Sequence, residues 1–92
     1  MSETRIRFKG PWADSEEATI RDAIEQVEAH LSETQRDALR GAWIATMNNY
    51  DGGGKYVVVH RRGMGAALTG GSADEVARRL RARWLGATHD EK

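Results

Sequence analysis

The sequence predicts an α+β domain: an antiparallel three- to four-stranded sheet with two helices packed on one face. Residues 56–60, Tyr-Val-Val-Val-His, are β-branched and aromatic, a composition that suits a pleated, half-buried surface. Turn-forming clusters stand on both sides of this run, at 48–54 and 61–65, which is the spacing of two consecutive hairpins. Outside this meander the apolar residues recur at helical intervals instead.

The chain has 92 residues, enough for one domain and one core. Residues 5–86 are expected to form the folded core, with 1–4 and 87–92 as flexible termini. There is no cysteine, so neither disulfides nor thiolate metal sites are available. No apolar run approaches the ~20 residues of a membrane span. The start, MSETRIRFKG, has no hydrophobic signal region. A soluble, cytoplasmic protein without membrane association is the expectation.

Taken in order, residues 5–9 alternate basic and apolar side chains, the mark of a half-buried strand with Ile6 and Phe8 inward and Arg5, Arg7 and Lys9 outward. Gly10-Pro11 ends it. A first helix is predicted over 14–31, where Ile20, Ile24, Val27 and Leu31 form one apolar stripe. Asp14 with Glu17 has the spacing of a capping box, and Ser32 with Gln35 forms a second one. At that second box the chain either starts a short helix or bends a long one.

Residues 42–47 admit two readings. As a strand, Trp43, Ala45 and Met47 share one face and Ala42, Ile44 and Thr46 the other. A helical register also fits, through Leu39, Ala42, Trp43, Thr46, Met47 and Tyr50. The helix would contain Gly41, at a cost of about 1 kcal/mol relative to alanine. A strand here supplies the hairpin partner that 56–62 needs, and the strand is the preferred reading. A short strand at 66–69 follows, and a last helix over 72–85 is capped by Ser72 with Glu75. Val76, Leu80 and Trp84 form its apolar face, and Arg78, Arg79, Arg81 and Arg83 lie off it.

Net charge is zero, but the charges are segregated. Residues 13–38 carry eight acids against Arg21 and Arg36, and residues 39–88 carry eight bases against Asp51, Asp74 and Glu75. A dipolar surface of this kind favours oriented docking to a partner. The guanidinium-rich last helix is the best functional signal, since arginine makes bidentate contacts with phosphate. Arg61 and Arg62, at a hairpin tip, extend the same field, as do Arg5, Arg7 and Lys9. Pairs Asp74–Arg78 and Glu75–Arg79 would satisfy part of the charge within the helix.

No nucleophile–base pair is visible, because Ser15, Ser32 and Ser72 all stand where caps belong; no catalytic residue is assigned and no enzyme is expected. His30, His60 and His89 are scattered and have no acid at ligand spacing, so no metal site is expected. The glycines at 63, 65, 70 and 71 lack the P-loop lysine and the GxGxxG spacing, and no cofactor is expected. Trp43 and Trp84 read as core anchors, and Trp12 as a lid on the core or a contact residue. Tyr50 and Tyr56, flanking the glycine turn, are candidates for an exposed aromatic patch.

Taken together, the order β (5–9), α (14–31), β (42–47), β (56–62), β (66–69), α (72–85) resembles that of the ribosome-hibernation factor family, whose single domain binds the small ribosomal subunit. Without the first strand it is also similar to the double-stranded-RNA-binding domain. The resemblance spans nearly the whole chain and rests on topology, size and the basic last helix; no short motif carries it. It implies a non-enzymatic domain contacting RNA or the ribosome, here through Arg61, Arg62, Arg78, Arg79, Arg81 and Arg83. The alternative is a protein-interaction module, an inhibitor, immunity or accessory protein. That module would dock through Glu17, Asp22, Glu25 and Glu28 of the acidic helix, or through Trp12, Tyr50 and Tyr56. A homodimer joining the acidic helix of one chain to the basic helix of another is a further possibility.

Overall fold

The β-branched run at 56–60 becomes the middle of strand β3 (Lys55–Arg62), and the ambiguous segment before it is its hairpin partner, β2 (Arg40–Asn49). The computed structural model describes residues 4–86 of the chain, and the expected flexible residues 1–3 and 87–92 lie outside the described part. Strands β2 and β3 pair antiparallel, with Ala45 opposite Val59 and Met47 opposite Val57. The glycine turn between them is closed by Tyr50 N–H donating to Gly54 O at 2.8 Å and Gly53 N–H donating to Tyr50 O at 3.1 Å. Strand β2 is longer than the expected 42–47. Gly41, at φ +72°, sits where the register shifts between Arg40 and Ile44, a bulge that lets the strand begin two residues earlier.

The first strand, β1 (Ile6–Lys9), corrects the expectation of an antiparallel sheet. It pairs parallel with β2, Ile6 opposite Trp43 and Phe8 opposite Ala45. The cause lies in the connection: two helices return the chain to the end from which β1 started, so the neighbouring strand runs in the same direction. The last strand, β4 (Leu68–Gly70), pairs antiparallel with β3, which makes a four-stranded mixed sheet in the order β1-β2-β3-β4. It is shorter and starts later than the expected 66–69.

Three helices are present: the two expected to pack on the sheet, and the short one that was one of the two readings of the second capping box. Helix α1 (Asp14–His30) ends when Leu31 turns extended, and α2 (Glu33–Ala38) starts from Ser32, whose hydroxyl accepts from Gln35 N–H while Gln35 reaches back to Ser32 N–H. The second capping box therefore starts a separate helix. At the front of α1 the expected Asp14–Glu17 box does not form: the N-cap is Ala13, whose N–H donates to Glu16 at 2.9 Å, and its methyl side chain cannot return the bond. Helix α3 (Ala73–Leu85) takes Ser72 as its N-cap, with Glu75 N–H donating to the hydroxyl at 3.1 Å. Gly86 ends it in the left-handed conformation that glycine favours.

One cluster of buried residues joins these elements. Ile20, Ala23, Ile24 and Val27 of α1 and Val76, Ala77 and Leu80 of α3 meet Trp43, Ala45, Met47, Val57 and Val59 of the sheet. Trp43 stacks edge-on against Trp84 at 5.7 Å, so both tryptophans serve as the expected anchors. Burying each of the large side chains stabilises the fold by about 1.5–3 kcal/mol before entropy is counted. Met64 brings the β3–β4 turn into the same core, and Gly63 allows it: a Cβ there would lie 2.0 Å from the carbonyl oxygen of Ala38.

Candidate nucleic-acid interface

The alternation of each strand decides what the rest of the sheet presents. Inward residues fill the core, and the residues between them contribute nothing to it. That second set is Arg7 and Lys9 of β1, Ile44, Thr46 and Asn48 of β2, Tyr56, Val58, His60 and Arg62 of β3, and Thr69 of β4. Arg7 and Lys9 are exposed, and Ile44, Thr46, Val58 and His60 are half-buried, with Ile44 opposite His60 and Thr46 opposite Val58. None of the four strands contains an aspartate or glutamate, whereas α1 alone holds Asp14, Glu16, Glu17, Asp22, Glu25 and Glu28.

The arginines singled out in the sequence meet different fates. Arg61 is turned toward the core: it is ion-paired with Glu28, and its guanidinium lies 5.4 Å from the centre of the Trp43 ring. Glu28 also accepts from Trp43 Nε1 at 2.8 Å and from Arg36 Nη1 at 3.4 Å. Arg79 donates to Thr69 O and to Glu75, both at 2.8 Å, which realises the expected i,i+4 pair. Arg81 bonds Gln26 of α1. Arg83 donates to Met64 O at 2.6 Å and lies against the Trp84 ring.

So Arg79, Arg81 and Arg83 fasten α3 to β4, to α1 and to the β3–β4 turn. Arg62 and Arg78 are exposed and their side chains have no hydrogen-bonded or ion-pair partner among the described residues, and the same holds for the side chains of Arg5, Arg7 and Lys9. The expected Asp74–Arg78 pair does not form. Sequence inspection could not foresee which arginines would be engaged, because their partners lie far along the chain.

The residues of the alternative surface are also divided. Tyr50 and Tyr56 are 55% and 39% exposed, and their rings lie 6.4 Å apart across the hairpin, an aromatic pair open to solvent. Trp12 is half-buried, edge-on to Phe8 at 5.0 Å, with its indole N–H donating to Lys9 O at 2.8 Å. Glu17 is half-buried, Asp22 and Glu25 are exposed, and Glu28 is held in the Arg61–Trp43–Arg36 junction. Lys55 is bonded to Glu16 at 2.8 Å and, together with the Ala13 N–H, holds that carboxyl below its ordinary value.

Among the described residues no three His, Asp or Glu side chains converge as a metal site would require, and no helix is long and apolar enough to cross a membrane. No protein-family model matches the chain, and no curated protein or solved structure aligns with it.

Proposed function

We propose that this is a non-enzymatic binding domain for single-stranded RNA, free or in the ribosome, and that the outward face of its sheet makes the contact. In this reading α1 and α3 both cover the inner face and leave the outer one open. The observation that carries it is the charge of that open face: Arg7, Lys9 and Arg62 stand on acid-free strands. Between them lies a shallow apolar floor of Ile44 and Val58, with Tyr56 at its border. Cations at the margins track phosphates while a sequence-tolerant floor and an exposed ring receive bases. Arg61, Arg79, Arg81 and Arg83 support the scaffold instead, each being bonded to another part of the fold.

The test is fluorescence anisotropy with a labelled mixed-sequence RNA, with small ribosomal subunits as a second target, at low and at physiological salt. Neutralising Arg7, Lys9 and Arg62 to alanine together is expected to weaken binding at least about tenfold and to lower the logarithmic salt slope by about 2, near 0.7 for each lost phosphate contact. Unchanged affinity in that variant rejects the sheet face. The Tyr50–Tyr56 pair supports a second reading, a protein partner docking at the hairpin tip. A lysate pull-down abolished by Tyr50→Ser with Tyr56→Ser, and indifferent to the cation variant, would favour it.

A further inference from the structure

At the end of the sheet where β1 and β2 begin and β3 finishes, a cavity of about 220 Å³ opens beneath the strands. Its lining includes Arg5, Arg36, Arg61, Glu28, Trp43 and Gly41. Three arginines thus line the cavity with one carboxylate, and two of them, Arg36 and Arg61, are paired with it. That carboxylate is already largely used, since Glu28 accepts from Trp43 Nε1, from Arg61 Nη1 and from Arg36 Nη1, three of its roughly four acceptor positions. A guanidinium carries five N–H donors, so most of the donors around the cavity are left over. Nε of Arg61 is buried and has no hydrogen-bond partner, in a side chain only 17% exposed. Arg5, at the rim, is exposed and unpaired among the described residues.

The geometry points to an anion site in this cleft, shaped for the dianion of a phosphate or phosphate monoester. One carboxylate offsets one of the three positive charges, and a dianion offsets the other two. A monocarboxylate would leave a charge uncompensated. The tetrahedral oxygens of phosphate suit several guanidinium forks at once. Arg61 is held in place by the Trp43 ring and Glu28 before any ligand arrives, so little side-chain freedom is lost on binding. Arg36, half-exposed and with Nη2 on the backbone oxygen of Glu28 at 2.7 Å, closes one side, and Arg5 is free to close the other. The site stands whether or not the sheet face binds RNA.

The indole N–H of Trp43, which lines the cavity, is the reporter. The full chain is titrated with inorganic phosphate and with glycerol phosphate at constant ionic strength, followed by NMR of the tryptophan side-chain resonances, with sodium acetate and sodium chloride as controls. A saturating shift of the Trp43 signal with both phosphates is expected, weakened at least tenfold in Arg5→Gln with Arg36→Gln. Because both of those side chains are at least half-exposed or exposed, the double variant keeps the core intact. Arg61→Lys keeps the charge beside Glu28, removes the unpaired Nε–H, and is expected to weaken phosphate as well. A shift that never saturates, that follows chloride equally, or that survives in the double variant overturns the site; acetate binding as tightly as phosphate overturns its assignment to a dianion. A 5′-phosphorylated oligoribonucleotide and its 5′-hydroxyl twin separate the two sources. A Trp43 shift specific to the phosphorylated strand identifies a strand end, and no difference between them, with saturation by glycerol phosphate, identifies a small molecule.

Discussion

The two faces of the sheet are built from the same strands, alternate residue by alternate residue, and they share almost no chemistry. Inward stand Trp43, Ala45, Met47, Val57 and Val59, each at most 1% exposed. Outward stand Arg7, Lys9, Ile44, Thr46, Val58, His60 and Arg62, none of them in the core. Arginine appears on both sides of this division and does different work on each. Inside, Arg61 meets a carboxylate and an indole; outside, Arg62, its neighbour in sequence, meets solvent. A one-residue step along a strand moves a side chain to the opposite face, so charge counted by segment says little about charge available to a partner.

The contrast is broken most severely from within. Trp43→Ala removes the side chain that contacts Trp84, Arg61 and Glu28, and a loss of about 3–5 kcal/mol in urea denaturation is expected. Next comes Glu28→Ala. It leaves the guanidinium of Arg61, mostly buried, without its counter-charge, and since the pair is partly hydrated the expected loss is about 2–3 kcal/mol. A loss under about 0.5 kcal/mol would show that the junction is no more than a surface ion pair.

On the outer face the expected effects on stability are small. Alanine at Arg7, Lys9 and Arg62 should each change unfolding free energy by no more than about 0.5 kcal/mol, while RNA affinity falls as described above. This separation of stability from binding sharpens the comparison, because alanine at Arg79, Arg81 and Arg83 is expected to reverse it, lowering thermal stability with little change in affinity.

The smallest effect concerns pH. Lys55 lowers the pKa of Glu16 from its ordinary value of 4.5 by hydrogen bonding, with Ala13 N–H adding to it. A depressed carboxyl pKa stabilises the fold above the unfolded-state value, and that stability disappears as pH falls through the lower folded value. Lys55→Met should therefore cost a few tenths of a kcal/mol, about the worth of an exposed pair, at neutral pH. The gap from the natural protein should close as denaturation is repeated at progressively more acid pH, below about 4.

Much of the scaffold was legible in the sequence because its signals are local. The β-branched run at 56–60, the alternation around Trp43, the caps at Ser32 and Ser72 and the apolar stripe of α1 each need only a few neighbouring residues to be understood. The direction of β1 was missed because pairing across a helical crossover depends on where the chain returns, not on the residues of the strand itself. The candidate site was less legible. The basic character of α3 was plain, but Arg81 bonds Gln26 and Arg83 bonds Met64 O, contacts set by tertiary packing. The acid-free outer face was visible only in part, as Arg7 and Lys9 on the first strand; its extent needed the register of β2 and β3, and Arg5, expected outward with them, lines the cavity at the end of the sheet instead.

The central claim is that the open face of the sheet, and not the arginine-bearing helix, receives RNA. The most direct measurement is an NMR titration of the full chain with a short single-stranded RNA at low salt, reading every backbone amide. Shifts concentrated at Arg7, Lys9, Ile44, Thr46, Val58, His60 and Arg62, fading as salt is raised, are the expected result. Shifts confined to residues 78–83 of α3, or no saturating shift anywhere, would contradict it.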